Sequence, residues 1–269
     1  MRIALFGPGR AGTAVCLAAR RAGHTVVSVT GRRPEATNAA AVLLASTALT
    51  PRDPITDADL LIIAVRDDAI ESVAAEIDPN APAVVHLSGA VGLQALRSLA
   101  ERGVRVGSLH PLQTLPDPQT GAEALSGSWM AVTTSSAELR TELEVLARSI
   151  GAVPFALADD NKALYHAAAA AAANFPLAVL TMAKALEEKA GVPWEAARPL
   201  VEAVVANAFD IGPRAALTGP VARGDVGTVR RQLSAVAAAA PEWHDLFSQM
   251  VTATARIAGT SDQIGGLEP

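Results

Sequence analysis

The sequence predicts an α/β fold, in which a doubly wound parallel sheet is followed by an all-helical domain. Strand-like runs recur about every 20–35 residues with helical patterns between them, a spacing typical of β-α-β units. Most of these runs are continuous and rich in β-branched residues, as expected for parallel strands covered by helices on both faces. After residue 157 only helical patterns remain. We therefore divide the 269-residue chain into an α/β domain over residues 1–157 and a helical domain over residues 158–269.

Individual elements follow from apolar patterning and from the residues that end each pattern. Seven strands are predicted in the first domain, at residues 2–7, 25–30, 60–65, 83–88, 105–110, 129–134 and 152–157. Amphipathic helices are predicted between them, for example at residues 13–22 and 137–150. Four helices, each bounded by a capping residue, a glycine or a proline, are predicted in the second domain at residues 161–190, 193–211, 226–240 and 241–259. The polar tail over residues 260–269 is expected to be loose.

Composition excludes several classes of protein. Half of the residues are hydrophobic and 18% are charged, which suits a buried core and argues against disorder. The net charge of −5 argues against a nucleic-acid partner. A single cysteine, Cys16, excludes a disulfide framework, and no metal is expected. The most apolar stretch, residues 167–183, is mainly Ala and contains Asn174 and Pro176, so we expect a cytoplasmic protein with no membrane association.

A glycine-rich turn follows the first predicted strand. It matches G-x-G-x-x-G between a strand and an apolar helix, the context of a dinucleotide-binding turn, and reads Gly7-Pro8-Gly9-Arg10-Ala11-Gly12. Gly7 permits a tight turn, Gly9 lets the backbone approach a pyrophosphate, and Gly12 lets the helix pack on the strand. Free N–H groups at the helix start favour phosphate. We predict that these six residues bind the cofactor; the alternative is a glycine-rich turn without a ligand.

The end of the second strand indicates which nucleotide binds. An NAD site carries Asp or Glu at this point to bond the ribose 2′-hydroxyl, whereas this chain has Thr30, Gly31, Arg32 and Arg33. Guanidinium groups suit a 2′-phosphate, and Thr30 adds a hydroxyl. We therefore predict NADP(H), with Val65 near the nicotinamide ribose. The alternative is that Arg32 and Arg33 belong to a solvated loop.

Two further strand ends carry polar groups. Ser88 and His110 end neighbouring strand patterns, and the carboxyl ends of parallel strands face the cofactor, so we expect them to converge. Ser88 is predicted to bind the cofactor, and His110 to exchange a proton with the substrate. Because Pro111 follows, a turn histidine bonded to backbone is the alternative for His110. His86 is expected to point into the sheet.

The long helix carries three polar side chains among Ala and Leu residues. Lys162 and His166 are four residues apart and share a face, and Asn174 lies near the same stripe. A lysine can protonate an alkoxide or bind a carboxylate, and an asparagine can orient a carbonyl. All three are predicted to be catalytic. The alternative is that the first two lie in exposed first turns; Asn174, deep in an apolar stretch, is expected to be buried.

A Gly- and Pro-rich loop at residues 217–225 carries the predicted substrate-binding residues. Thr218 offers a hydroxyl, and Arg223 has a charge that could clamp a substrate carboxylate or the cofactor phosphates. Asp225 is predicted to bind substrate as well, with an N-cap of the following helix as the alternative.

With these motifs the chain resembles the 6-phosphogluconate-dehydrogenase-like superfamily, which includes ketopantoate reductase, pyrroline-5-carboxylate reductase, prephenate dehydrogenase and deazaflavin-dependent NADP reductases. It is most similar to a bacterial group that pairs a Rossmann-like domain with a C-terminal domain of unknown function. The likeness spans nearly the whole chain and rests on residues 108–114, on Tyr165 and His166 with Asn174, and on residues 217–220 and 223–225. It implies a Rossmann domain, an all-α 6-phosphogluconate-dehydrogenase-like domain that forms a dimer, and a site between them.

The named relatives match the motifs in different ways. Ketopantoate reductases have a Lys followed by Asn residues at four-residue steps on the equivalent helix, whereas here Lys162 is followed by His166, Ala170 and then Asn174. Prephenate dehydrogenases have a His-Pro after a corresponding strand, and their His bonds the substrate hydroxyl. His110 and Pro111 match that feature.

The predicted function is an NADPH-dependent reductase that transfers hydride to a small carbonyl or imine compound bearing a carboxylate, with ketopantoate as a candidate. Lys162 or His110 would supply the proton, and Asn174 would orient the acceptor. The aromatic share of only 3% favours a small aliphatic acid over a ring. The alternatives are a non-catalytic NADP(H)-binding sensor or regulator and a deazaflavin-dependent NADP reductase. Ala-rich helices, together with the resemblance, predict a homodimer through the helical domain.

Overall fold

A computed structural model describes residues 1–78 and 80–266. The chain divides into two compact units, Met1–Ala173 and Asn174–Pro269. The first unit is built on an eight-stranded sheet in the order β3-β2-β1-β4-β5-β6-β7-β8. Its strands are Arg2–Phe6 (β1), Thr25–Thr30 (β2), Thr47–Leu49 (β3), Leu60–Ile63 (β4), Ala83–His86 (β5), Arg105–Leu112 (β6), Trp129–Thr134 (β7) and Val153–Ala156 (β8).

Helices cover both faces of this sheet, which confirms the doubly wound fold. They are Arg10–Arg21 (α1), Pro34–Leu44 (α2), Ile70–Glu76 (α3), Arg97–Ala100 (α4), Pro118–Ala124 (α5), Ala137–Ser149 (α6) and the start of Lys162–Ala190 (α7). One core cluster joins a sheet face to α1, α2 and α6, and a second joins the other face to α3 and α4. All residues of β4 and β5 are buried. Strands covered on both faces are expected to be continuous apolar runs, and these two strands were predicted from such runs.

The sheet departs from the predicted parallel arrangement at one pair of strands. β7 runs antiparallel to β6, with Leu112 opposite Trp129 and His110 opposite Ala131. Of the 16 connecting residues, 113–128, only the seven of α5 are helical, and these rise about 10 Å, whereas the eight residues of β6 span about 26 Å. The chain therefore does not return to the far edge, and β7 begins where β6 ends. The short edge strand β3 has only three residues and was not predicted.

The second unit is helical, as predicted. After α7 it contains Ala197–Ile211 (α8), Pro213–Ala216 (α9), Val226–Ala239 (α10), His244–Ala258 (α11) and Ser261–Ile264 (α12). A small core joins α10, α11 and α12 through Val229, Leu233, Val251, Ala255 and Ile264. Ile264 is buried, so the prediction of a loose tail is wrong over α12, because this side chain ties the segment to the core; residues 267–269 of that tail lie outside the described residues.

The predicted domain boundary at residue 157 coincides with the end of the sheet, since β8 ends at Ala156. The division between the compact units instead falls between Ala173 and Asn174, inside α7. The first turns of α7 pack on the sheet and therefore belong with it, as the contacts of Lys162 and Tyr165 below show.

Candidate active site

The predicted nucleotide turn lies at the carboxyl ends of β1, β2 and β4. There it borders a cleft of about 510 Å³, lined by Gly7, Pro8, Gly9, Arg32, Arg33 and Val65 among others. Gly7 has a φ of 101°, and a Cβ on it would lie 2.6 Å from the carbonyl oxygen of Ala64. A Cβ on Gly12 would lie 2.5 Å from the Cβ of Ala64. Glycine at both positions thus lets the turn and α1 lie directly against the end of β4.

The start of α1 is suited to an anion. Gly9 is its N-cap and offers no side-chain acceptor, and no acidic residue occupies the first turn. The first backbone N–H groups of this 12-residue helix therefore remain available to a phosphate. Ala11 is half-buried, and the guanidinium of Arg10, at the helix surface, lies 3.4 Å from the carbonyl oxygen of Pro116.

Three arginines line the cleft, namely Arg32, Arg33 and Arg66, of which Arg66 pairs with Asp68 at 2.7 Å. Arg32 and Arg33 are exposed, and no Asp or Glu is among the residues that line the cleft. Thr30 is placed differently from the prediction. Its side chain is buried and lines a neighbouring cavity of about 290 Å³ together with Arg52 and Asp53, and within the described residues its hydroxyl has no hydrogen-bond partner.

A buried lysine anchors the start of α7 to the sheet. Lys162 is only 1% exposed, and its Nζ donates to the carbonyl oxygen of Ser88 at 2.9 Å and to the Oγ of Ser108 at 2.7 Å. Burial lowers the pKa of Lys162 to about 8, while Asp159 and Asp67 oppose this shift. The prediction that Lys162 and His166 share one helix face with access to the same site is consistent with these contacts, and the exposed alternative for Lys162 is wrong.

The chain after β5 forms a hydrogen-bonded turn above this lysine. The Oγ of Ser88 accepts from the N–H groups of Ala90 and Val91 at 3.2 and 3.0 Å. The N–H of Ser88 donates to Nδ1 of His86, which is fully buried in the sheet as expected. Asp159 accepts from the N–H of Leu93 at 2.9 Å, so this carboxylate caps the short turn that begins at Leu93.

His110 and His166 meet over the residue that follows Ser88. A Cβ on Gly89 would lie 2.8 Å from Nε2 of His110 and 2.8 Å from Nδ1 of His166, so only glycine leaves room for both rings. The ring centroids of the two histidines are 5.7 Å apart. The convergence predicted for the ends of β5 and β6 is therefore present, and it draws in the first turns of α7 as well.

Tyr165 holds the other side of the His110 ring. Its hydroxyl lies 2.7 Å from Nδ1 of His110, and the two ring centroids are 5.4 Å apart. Burial raises the pKa of Tyr165 to about 12. Burial lowers the pKa of His110 to about 4, with further lowering by His166 and Lys162. At neutral pH His110 is thus an uncharged imidazole joined to a protonated phenol.

The remaining predicted residues lie in the second unit. Asn174 is exposed, so the expectation that it is buried is wrong; the most apolar window of the helix buries none of its residues despite its Ala content. Thr218 and Arg223 are exposed. Asp225 accepts from the N–H of Thr228 at 3.0 Å as the N-cap of α10, and this bond lowers its pKa.

Sequence reasoning missed three participants in the cluster of the first unit. Ser108 lies inside β6 and gave no signal beyond its hydroxyl. Gly89 followed a predicted site residue, but no turn motif marked it. Tyr165, the only tyrosine of the chain, was one step off the Lys162 face and was not given a role.

Comparisons with known families agree with this organisation. Residues 1–111 match the model of a Rossmann-like domain, and residues 128–254 match the model described as a domain of unknown function, DUF2520. These two matches, side by side on one chain, are the pairing predicted by its resemblance. No curated protein matches it.

Solved structures share this fold at low identity. A proposed NADP oxidoreductase from Bacteroides fragilis is 21% identical with a TM-score of 0.79, and the match covers 95% of this chain and 98% of that one. A protein from Thermotoga maritima is 19% identical with a TM-score of 0.71, covering 97% and 99%. An imine reductase from Myxococcus stipitatus in complex with NADP⁺ is 16% identical with a TM-score of 0.69, covering 98% and 95%.

Two of the relatives expected from the sequence also share the fold. A pyrroline-5-carboxylate reductase from Streptococcus pyogenes has a TM-score of 0.65, and a prephenate dehydrogenase from Aquifex aeolicus has a TM-score of 0.52 over about two thirds of each chain.

The titration of His110 provides a direct check of the cluster. Its folded pKa of about 4 lies below the ordinary value of 6.5, so protonation of this ring reduces stability as the pH falls from about 6.5 toward 4. Histidine NMR should show His110 neutral down to about pH 5. His166→Asn should raise the pKa of His110, because His166 is one of the groups that lower it. A wild-type pKa near 6.5 for His110 would contradict the buried geometry.

Proposed function

We propose that the protein is an NADPH-dependent reductase that transfers hydride to the carbonyl or imine carbon of a small molecule. The observation that carries this proposal is the position of two sites at one edge of the sheet. β4 and β5 end side by side, with Ile63 opposite His86. The arginine-lined cleft at the end of β4 and the Ser88–Gly89 turn after β5, where His110, Tyr165 and Lys162 meet, therefore follow the ends of neighbouring strands. The similar imine and pyrroline-5-carboxylate reductases bear names that agree with this chemistry.

The residues of the cleft fit NADP(H). Gly7, Gly9 and the start of α1 would hold the pyrophosphate, and Arg32 and Arg33 would pair with the 2′-phosphate. The absence of Asp and Glu from the cleft lining disfavours a ribose 2′-hydroxyl as the group recognised there. When bound, the reduced nicotinamide supplies the hydride.

His110 and Tyr165 would handle the proton. A neutral His110 cannot act as a cationic acid, but its Nε2–H can donate a hydrogen bond to the acceptor oxygen, where negative charge develops. We assign the Tyr165 hydroxyl as donor to Nδ1, because a phenol with a pKa of about 12 keeps its proton at neutral pH. An alkoxide is a stronger base than this phenolate, so the proton can pass from Tyr165 through His110 to the product. The half-buried phenol then regains its proton from solvent.

Lys162 takes a supporting role in this scheme. Both of its hydrogen bonds fix the floor of the site, one to the Ser88 carbonyl and one to Ser108. It still brings positive charge to the place where the oxyanion forms, since its pKa of about 8 leaves it mainly protonated at pH 7. Binding of a substrate carboxylate, as in a ketopantoate-like keto acid, then falls to other groups, of which Thr218 and Arg223 remain the predicted ones.

The cofactor assignment is tested by removing the two cationic groups. Arg32→Ala combined with Arg33→Ala should raise the KM for NADPH roughly 10- to 100-fold, because charge-assisted bonds to the 2′-phosphate are lost. The KM for NADH should change less than about threefold, which makes NADH the internal control. Equal effects on both nucleotides, measured by cofactor oxidation and by titration calorimetry, would count against NADP(H).

The catalytic assignment is tested by turnover with NADPH on a panel of 2-keto acids, including ketopantoate, and cyclic imines. His110→Asn should lower kcat by about 10²- to 10⁴-fold with an unchanged Kd for NADPH. Tyr165→Phe keeps the ring and should lower kcat about tenfold or more. An unchanged kcat in Tyr165→Phe would contradict proton transfer from Tyr165 through His110, but it would not contradict the reductase function.

The same assays separate the alternative functions. NADPH binding without oxidation on any substrate would favour a sensor or regulator. Oxidation only in the presence of a deazaflavin cofactor, followed by its absorbance, would favour a deazaflavin-dependent reductase.

We also propose that the protein is a homodimer through its helical part. By length and composition α7 is apolar enough to cross a membrane, and its most apolar window buries none of its residues. Large apolar side chains are exposed along α7 and α8, namely Leu164, Phe175, Leu177, Leu200, Val204, Phe209 and Ile211. A second copy of this chain, which offers the same surfaces, would cover them.

Light scattering after size exclusion tests the dimer. The wild-type chain should elute at twice its 27.5 kDa mass, and Phe209→Glu should weaken the dimer roughly tenfold or more, because Phe209 is 89% exposed in α8. Val42→Glu is the matched control, since Val42 is 82% exposed on α2 of the first unit. A monomer at micromolar concentration, or flotation with lipid vesicles, would contradict the proposal.

A further inference from the structure

The antiparallel pairing of β6 with β7 places an apolar surface beside the proposed proton donor. Side chains alternate between sheet faces, so His110 and Leu112 of β6 share one face. The register puts Trp129 opposite Leu112, and Val153 opposite Trp129. We call Leu112, Trp129 and Val153 the apolar shelf.

The shelf is open, whereas the opposite face of the same strands is not. Its three side chains are 40%, 54% and 40% exposed. Met130 and Val132, which alternate with Trp129 on β7, belong to the buried core that includes α6. The openness is therefore a property of this one face of the sheet.

A row of rings connects the shelf to His110. In the next register position His110, Ala131 and Phe155 lie side by side. The Tyr165 centroid is 5.4 Å from that of His110 and 5.9 Å from that of Phe155, so Tyr165 bridges them above the small Ala131. Phe155 in turn contacts Trp129, with centroids 6.1 Å apart. The shelf thus continues from the reacting groups without a break.

This concentration of rings changes the interpretation of composition. Only nine residues of the chain are Phe, Trp or Tyr, and three of them, Trp129, Phe155 and Tyr165, form this row. The expectation of a small aliphatic substrate was drawn from the low aromatic content of the whole chain. That content does not indicate where the aromatic rings lie in the structure.

We propose that the apolar shelf binds the non-reacting part of the substrate, and that this part is an uncharged apolar group, preferably a ring. The inference rests on the proposed reductase function. Leu112 is two residues beyond His110 on the same strand, a separation of about 7 Å. A carbonyl or imine at Nε2 of His110 would therefore place a directly attached ring or short chain over Leu112 and Trp129. No charged side chain belongs to the shelf.

The size of the shelf argues against a second copy of the chain as its occupant. Three partly exposed side chains offer at most a few hundred Å² of apolar surface, a patch of the size that commonly serves a ligand. A stable protein interface needs about 800 Å² from each partner. The row of rings also connects the shelf directly to His110. This connection favours the molecule that reacts at His110 as the occupant of the shelf.

The test compares two 2-keto acids that differ by a phenyl group, pyruvate and phenylpyruvate, with NADPH as donor. Wild type should favour phenylpyruvate roughly tenfold or more in kcat/KM. Trp129→Ala should lower kcat/KM for phenylpyruvate about tenfold and change that for pyruvate less than about twofold. Val153→Ala should have a smaller effect of the same kind. Val145→Ala, which truncates a valine 54% exposed on α6, is the matched control and should change neither.

Each outcome bears on a different statement. No preference for the phenyl group in wild type, or equal losses for both acids in Trp129→Ala, would overturn the shelf proposal while the reductase stands. A change of molecular mass in Trp129→Ala or Val153→Ala would overturn it in favour of a subunit interface. Failure of NADPH oxidation with both acids and with the wider panel would instead reject the reductase function, and saturation-transfer NMR with phenylpyruvate would then show independently whether the shelf binds a ring.

Discussion

The burial of one ammonium group organises the first unit. Lys162 stands at the first position of a 29-residue helix, yet its charge lies inside the protein against two strand ends. Transfer of a charge from water is unfavourable unless hydrogen bonds replace the lost hydration. The Ser88 carbonyl and the Ser108 hydroxyl provide them, and this requirement fixes three elements at once: the turn after β5, the middle of β6 and the start of α7. His110, His166 and Tyr165 are all attached to those elements.

Much of the fold could be predicted because it depends on burial. β4 and β5 are covered on both faces, and apart from the buried His86 they are apolar throughout, so continuous apolar runs in the sequence identify them. The reversal of β7 could not be predicted in the same way, since its residues look alike in either direction. It follows from the length of α5 relative to β6, a comparison between elements. α12 was missed because one buried side chain, Ile264, holds it, and a single apolar residue in a polar tail carries little signal.

The site shows a similar division. The nucleotide turn was predictable because Gly7 and Gly12 stand where a side chain would clash, as their close approaches to Ala64 show. Burial on the long helix was predicted only in part. Exposure was the alternative for Lys162, which is buried, whereas Asn174 was expected to be buried and is exposed, since Ala-rich sequence suggests a covered helix. The exposure of a small apolar side chain, however, costs little free energy. The Ala content of α7 therefore did not indicate which part of the helix is buried. The role of Tyr165 could be recognised only from the structure, in which α7 places its hydroxyl beside His110 of β6.

The residues proposed to bind the nucleotide and those that form the surface beside His110 occupy different parts of the chain, because the antiparallel strand β7 contributes only to the second group. The residues that line the arginine cleft all lie between Phe6 and Arg66, whereas the surface beside His110 is assembled from β6, β7 and β8. Trp129 and Val153 belong to strands that contribute nothing to the cleft lining, so substitutions at these two positions change the surface beside His110 and leave the nucleotide turn as it is. A protein built in this way can acquire a new substrate range through β7 and β8 while its cofactor preference is inherited intact.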